Sequence, residues 1–508
     1  MCREYKGSMS RLHDLTFFDI YEKNGRIFKD RCAIHWEGQD ISHKALLTKT
    51  RQLASGLGSL NLEPGTRIAV LAKNHPLFFH LFGAASALNL CLVMINRRLS
   101  KDEIRHIIQD TTPELIICDS GMAGLAADLG SESSWIKHQF IIDGPDENLS
   151  GLYTDLPDFS SGNAFPKDPF VIIHTAAVQG KPRGAVLSQE NILLSNLQVI
   201  RYFNITADTN HLNILPLFHI MGINLGLATL QAGGNNVILE KFDSQKTIDL
   251  IQEQKVNLFG SFPPILANLL DVIDKGAGDL SSLEKVAGLD SPETITQWES
   301  KTDSRFWTMY GQTETSGLIT FAPYFRRPGS AGEISPLADI QIADDFDNLL
   351  PVNETGEILV KGPLVFQGYW NAAELNAFTF REGWHHTGDL GMIDSDGFLF
   401  FKGRKAEKEL IKPGGENVFP AEVEKAVLRH EAVKEVCVFG VPDPRFGEGI
   451  KAVVSLHPGK DVAKEDLIQF TGTLIAGYKK PRYLEFTEEL PKSDDGTIDR
   501  AAVKKAFS

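Results

Sequence analysis

The chain of 508 residues is short of several features that mark whole classes of protein. Its five cysteines, Cys2, Cys32, Cys91, Cys118 and Cys437, stand far apart with no paired spacing. That excludes a zinc ribbon or a disulfide framework and fits a reducing cytoplasm. Positive charge is also scarce: 51 Lys+Arg against 66 Asp+Glu leave a net charge of -15, so no nucleic-acid footprint is expected over the whole chain. There is no long uninterrupted apolar run. The most apolar stretch, LFFHLFGAASALNLCLVMIN, carries His80, two asparagines and a glycine. It reads as a buried helix running into a strand, and no membrane span is expected. The opening MCREYKGSMSRLHDL has no apolar core of a secretory leader.

What is present points to layered α/β architecture. The length implies two to four domains or subdomains. From about residue 40 to 400, β-branched runs such as RIAVLAKN, ELIICDS, FVIIHTA and NVILEKF alternate with helical spacings such as HKALLTKTRQLASGLGSL and SQKTIDLIQEQ. Such alternation predicts largely parallel sheets. Beyond about residue 330 the strands are punctuated by glycine, and Asp396-Gly397 predicts a hairpin turn. The last hundred residues read as a small α+β unit, with the charged KGRKAEKE as the join.

Several short stretches could carry chemistry. HTAAVQGKPRGAVLS, His174 to Ser188, is either a phosphate-gripping loop that has lost glycines or an ordinary turn containing Lys181 and Arg183. In MYGQTETSG, Tyr310 offers a stacking face and Glu314 a hard oxygen ligand for magnesium; a plain Gly-rich loop fits as well. In WHHTGDLG, Asp389 could accept ribose hydroxyls or merely cap a turn. His385 and His386 lack the partner spacing of a metal site. His219, after a buried strand, is either a satisfied core histidine or a site residue.

Taken together and in this order, PLFHIMG, YGQTETSG, GEILVKGP...GYW, GWHHTGDLGMIDSDGFLFFKGR, GGENVFPAEVE, VFGVPDPRFGE and YKKPRYLEFTEELPK make the chain resemble the acyl-adenylate-forming superfamily. The match is dense from Val171 to the end and more diffuse before it. The resemblance implies an α/β fold with a large N-terminal region, residues 1–403, of two doubly wound subdomains plus a distorted β-barrel. A small mobile α+β C-terminal domain, residues 404–508, would follow. It implies ATP and a carboxylic acid giving an acyl-adenylate and pyrophosphate, after which a domain swing lets CoA displace AMP. By motif, Tyr310, Gly311 and Gln312 would line the nucleotide with Gly288, Leu289 and Asp290. Thr313 would bond the α-phosphate, Glu314 would bind Mg2+, and Asp389 with Arg404 would hold the ribose. His219 would shape the acid channel, and Lys405 would fall at the hinge. Gly414, Gly415 and Glu416 would form the CoA tunnel, while Thr175, Gly180, Lys181, Arg183 and Gly184 would form the phosphate loop.

Two departures touch the phosphate chemistry. Where the superfamily reads roughly T-S-G-T-T-G-x-P-K-G, this chain reads Thr175-Ala176-Ala177-Val178-Gln179-Gly180-Lys181-Pro182-Arg183-Gly184. Hydroxyl donors and an early glycine are gone, while backbone amides and two cations stay. The superfamily's C-terminal catalytic lysine is replaced by Thr497, which follows Gly496 in LPKSDDGTIDR. Loss of one well-placed transition-state donor costs on the order of 3–4 kcal/mol, a factor of about 100 to 1,000 in rate. Lys492 does not suit as a substitute, and Lys408 and Lys412 are the cations left near the hinge.

The leading expectation is an AMP-forming acyl-CoA ligase, cytoplasmic, acting on an apolar monocarboxylic acid with ATP/AMP, CoA and Mg2+. Its alternatives are a specialist of the thioester half-reaction and a non-enzymatic nucleotide or acyl-CoA binding scaffold. The oligomeric state is open, a homodimer among the choices.

Overall fold

The computed structural model describes residues 14–154, 164–175, 182–276, 278–344, 346–404, 411–416, 418–492 and 498–508. The apolar stretch LFFHLFGAASALNLCLVMIN forms the helix Leu77–Leu88 and the strand Cys91–Met94. Asn89 ends the helix in the left-handed conformation, its backbone N–H bonded to Ala85. Among the described residues no helix is long and apolar enough to cross a membrane.

Two large sheets build the N-terminal region. In the first, the parallel strands Arg67–Leu71, Cys91–Met94, Leu115–Cys118, His138–Ile141 and Pro169–Thr175 are joined on one side by the antiparallel Arg183–Ser188 and the short Gly368–Tyr369. The parallel strands buried on both faces read as unbroken apolar runs, as that position demands. Among the described residues the second sheet has nine strands, with Asn210–Asn213, Asn235–Ile238, Leu258–Ser261, Lys285–Gly288 and Arg305–Gln312 forming its parallel centre. One edge of it is the N-terminal hairpin Cys32–Trp36 and Gln39–Ser42, brought back across some 200 residues of sequence to pair with Asn235–Ile238. The helices Leu77–Leu88 and Ile220–Ala232 pack in the main core between the sheets.

The described residues also form a four-stranded antiparallel sheet, Asp339–Ala343, Gly356–Lys361, His385–Ile393 and Leu399–Arg404. Its last two strands are the hairpin that Asp396-Gly397 announced, Gly397 sitting at φ 83°. The C-terminal segment has its own core around Ile411, Val423, Val438 and Val454. That core lies between the sheet Val433–Asp443, Gly447–Leu456, Tyr483–Phe486 and the helices Pro420–Val427 and Lys464–Leu474. The architecture is mixed α/β, a large N-terminal region followed by a smaller C-terminal one.

Candidate active site

One cavity of about 480 Å³ lies where the ends of the large sheets meet the C-terminal segment. A crevice outside the carboxyl ends of parallel strands is where open α/β sheets place ligands. The strand Arg305–Gln312 runs into it and reverses through the tight turn Thr313–Thr315 into Gly317–Pro323. Local hydrogen bonds hold the reversal. Gln312 N–H donates to Thr315 Oγ1 at 2.8 Å, and the Thr315 hydroxyl is 2.8 Å from Gly317 O. Ser316 accepts φ 54° while its hydroxyl donates to Leu364 O at 2.6 Å. Gly311 packs so tightly that a Cβ there would fall 1.9 Å from Gly317 O, which explains a glycine at that place.

Tyr310, Gly311, Gln312, Thr313 and Glu314 all line the cavity. The Tyr310 hydroxyl donates to Asp389 Oδ2 at 2.8 Å, and Gln312 Nε2 donates to the same oxygen at 2.6 Å. Arg404 Nε lies 3.0 Å from Asp389 Oδ1, across the hairpin that pairs the two residues. Asp389 is therefore a buried hub, 1% exposed, behind the wall that Tyr310, Thr387 and Arg404 present. Gly288 is also behind the wall. A Cβ on it would sit 1.8 Å from Ser261 O, so its role is to let two parallel strands close up. The next residues, Leu289 and Asp290, reach the cavity. Burial pushes the Asp290 carboxyl up to about 6, and its Oδ2 has no hydrogen-bond partner among the described residues.

On one side of the cavity, Thr175 and Arg183 face each other as a cross-strand pair, and both line it. Gly184 is the next strand residue, close against Ile172 and His174. Gly180 and Lys181 lie outside the described residues, as do 176–179, Lys405, Lys408 and Thr497. Glu314 is 8% exposed. Its Oε1 accepts from Thr175 Oγ1 at 3.0 Å and from Tyr369 Oη at 2.9 Å. Tyr369, in the GYW stretch, is a site residue that motif reading left without a role. Burial and then the Glu314 carboxylate push its phenol well up, so it is a protonated donor at neutral pH. A buried carboxylate with one oxygen held by two hydroxyls suits a hard divalent cation.

Ile220, Met221, Phe262, Pro263 and Leu318 give the cavity an apolar part of its lining, together with His219. His219 is the N-cap residue of the helix Ile220–Ala232 without a capping hydrogen bond. Burial, then the charges of Lys412 and Arg98, pull its imidazole down to about 4, so it is neutral at pH 7.

The C-terminal segment closes the cavity with Lys412, Gly415, Phe419, Phe446, Gly447 and Glu448. Lys412 lines the cavity along with Arg183 and Arg404, and its charge is felt by His219. Burial and Arg404 pull its ammonium down to about 8, against the opposing pull of Asp389, Glu448 and Glu314. Lys492 is elsewhere, paired with Glu435 at 2.8 Å. Gly414 packs against Pro263 O and Phe446, and Gly415 against Phe262. Glu416 does not line the cavity. It bonds the N-terminal region, with Arg98 Nη1 2.9 Å from Oε1 and Asn96 Nδ2 3.0 Å from Oε2. Beside it, Lys479, 2% exposed, is held between Glu103 of the N-terminal region and Glu422, the latter at 2.7 Å.

A second cluster joins Asp347, Glu357 and His386, whose ligand atoms lie within 4.8 Å of one another. Its acidic partners come from another hairpin, which sequence spacing around His386 could not show. Arg381 binds Asp347 through two nitrogens at 2.7 and 2.8 Å, so the cluster is an ion-pair network.

Comparison with known proteins shows what the chain is similar to. Residues 21–370 match the model of the AMP-binding enzyme family, and 422–497 match the AMP-binding enzyme C-terminal domain. A feruloyl-CoA synthase of Amycolatopsis sp. is 30% identical over 491 residues, covering 96% of this chain and 98% of that one. An indoleacetate–CoA ligase of Aromatoleum aromaticum is 30% identical, covering 94% and 95%. The solved o-succinylbenzoate CoA synthetase of Bacillus subtilis, bound to a product analogue, superposes with a TM-score of 0.84 at 25% identity, covering 96% and 98%.

Proposed function

The chain belongs to the AMP-binding enzyme family and is an AMP-forming acid–CoA ligase, and we propose that its acid is an apolar monocarboxylate activated in this cavity with Lys412 as the working cation. The observation that carries the proposal is the meeting of Tyr310, Glu314, Arg404, His219 and Lys412 on one wall system, apolar on the acid side and charged on the other. The apolar lining around His219 supports a monocarboxylic acid. Feruloyl and indoleacetyl groups, on which two relatives act, are of that kind.

The chemistry runs in two displacements. A carboxylate oxygen of the acid attacks the α-phosphorus of ATP, and pyrophosphate leaves. The CoA sulfur, having lost its proton, then attacks the acyl carbon, and AMP leaves with the C–O bond electrons. Catalysis is positioning plus stabilisation of charge that grows on the phosphate and carbonyl oxygens. Tyr310 would stack on adenine, and the Asp389 hub with Gln312 and Arg404 would receive the ribose. Thr313, Thr175 and Arg183 would hold the phosphates, with Gly180, Lys181 and Gly184 shaping their loop. His219, neutral, would donate or accept one hydrogen bond at the carboxylate without adding charge. Mg2+ on Glu314 would supply further charge neutralisation at the phosphates. Lys412 would supply the ammonium that Thr497 cannot. Gly414 and Gly415 would leave room for the pantetheine arm, with Glu416 holding that wall in place. The C-terminal domain, 404–508, would turn about Lys405 to admit substrates and release products.

The test is a panel of aryl, alicyclic and aliphatic monocarboxylates with ATP, Mg2+ and CoA, detecting AMP and pyrophosphate. Stoichiometric AMP with an apolar monocarboxylate supports the proposal. AMP formation confined to dicarboxylates refutes the acid class, and no AMP with any acid refutes the activity.

A further inference from the structure

Glu314 is gripped twice by one short segment. Phe366 N–H donates to the Glu314 backbone carbonyl at 3.0 Å, and three residues on the Tyr369 hydroxyl donates to Glu314 Oε1. Tyr369 is itself immobilised. Its N–H donates to Asn376 Oδ1 at 2.7 Å, and its carbonyl accepts from Asn376 Nδ2 at 2.9 Å. Its ring meets Phe366 edge-on at 4.8 Å, and Gly368–Tyr369 pairs with Val186 and Ala185 of the neighbouring sheet. The phenol therefore cannot drift without dragging a strand.

An ionised carboxylate offers about four lone-pair sites. Here the Thr175 and Tyr369 hydroxyls both fall on Oε1, and among the described residues no hydrogen bond reaches Oε2. Two donors on one oxygen fix the plane of the group and leave the other oxygen toward the cavity that Glu314 lines. A mostly buried carboxylate satisfied on one side only is poised for a cation on the other. We propose that Tyr369 is a positioning residue which, together with Thr175, holds the Glu314 carboxylate so that Oε2 is presented as the ligand of the divalent cation accompanying ATP. This rests on the reading of Glu314 as a metal ligand and assigns how the ligand is aimed.

Groups that orient a metal's ligand typically cost about 10–100-fold in metal affinity when removed. The test titrates Mn2+ into protein with ATP and no acid, so that nothing turns over, and reads free and bound Mn2+ by electron paramagnetic resonance. Tyr369→Phe, which deletes only the hydroxyl, is expected to weaken Mn2+ binding about 10-fold or more. Thr175→Val is expected to weaken it in the same direction, and serves as the second variant where Tyr369→Phe melts early. Saturating Mn2+ is expected to restore AMP formation to Tyr369→Phe, which no general loosening of the fold would allow. Mn2+ binding by both variants equal to wild type overturns the proposal, as does a loss of AMP formation that saturating Mn2+ leaves in place. Glu314→Gln separates the two levels. If it too binds Mn2+ like wild type, the metal reading of Glu314 fails; if it alone loses binding, only the positioning role fails.

Discussion

Tyr310 and Asp389 are joined at 2.8 Å by a buried hydrogen bond, phenol to carboxylate, that ties the strand ending in the YGQTE turn to the hairpin carrying Arg404. Gln312 and Arg404 complete the hub at 2.6 and 3.0 Å. Asp389→Asn keeps the shape and removes the charge, leaving the Arg404 guanidinium without its partner. Removing one member of a buried pair costs about 3–5 kcal/mol. The expected outcome is a lower melting temperature together with a raised KM for ATP. Calorimetry and ATP kinetics on the variant check it.

The lowered ammonium of Lys412 sets a pH limit. The charged form is the one proposed to work, and its fraction falls as pH rises through about 8. kcat/KM for ATP reports the free enzyme, and it should fall on the alkaline side with a midpoint near that value. Lys412→Arg, which stays protonated, should flatten the alkaline limb even where its overall rate is lower. An alkaline limb unchanged in Lys412→Arg would assign it to another group.

Arg183 lines the cavity opposite Thr175, where the phosphates are proposed to lie. Arg183→Ala should weaken use of ATP more than use of supplied acyl-AMP, because pyrophosphate is present in the first step only. Steady-state kinetics with each substrate reads the difference, and equal losses would place Arg183 away from the β- and γ-phosphates.

Lys479 bridges the two parts of the chain, held between Glu103 and Glu422 with almost no exposure. Lys479→Met leaves two buried carboxylates facing each other and should destabilise the docked arrangement by about 3–5 kcal/mol. Glu103→Gln leaves the neutral pair Lys479–Glu422 and should cost less. Burial pushes Glu422 up to about 6. A carboxyl raised on folding contributes stability at low pH that is lost as pH rises through its folded value. Denaturant titration of Lys479→Met at pH 5 and 8 should therefore show the smaller penalty at pH 5.

Much of this was legible in the sequence, and the rest was hidden for identifiable reasons. The helix-to-strand passage at Leu77–Met94 and the hairpin at Asp396-Gly397 follow from local pattern and turn chemistry. The pairing of Cys32–Trp36 with Asn235–Ile238 does not, because a parallel partner far along the chain leaves no local trace. Motifs named Tyr310 and Glu314, and they do meet in the cavity. They gave no sign of Tyr369, whose role depends on a hydroxyl arriving from another strand. Lys412 was one cation among several near the join. Only the folded chain distinguishes it, by setting it in the cavity lining with Arg404 while Lys492 pairs off with Glu435. The motifs point to Gly288, Asp389 and Glu416 as contact residues, and the structure sets each one layer back from the cavity surface.

The central claim is that Lys412 performs in adenylation what the residue at 497 does not. The most direct measurement is single-turnover pyrophosphate release by wild type, Lys412→Ala and Thr497→Lys, with the best acid of the panel. The account predicts that Lys412→Ala loses about 100- to 1,000-fold, the effect of one charge-stabilising donor, while Thr497→Lys stays within a few-fold of wild type. A Lys412→Ala rate equal to wild type, with a gain of about 100-fold or more in Thr497→Lys, would contradict it.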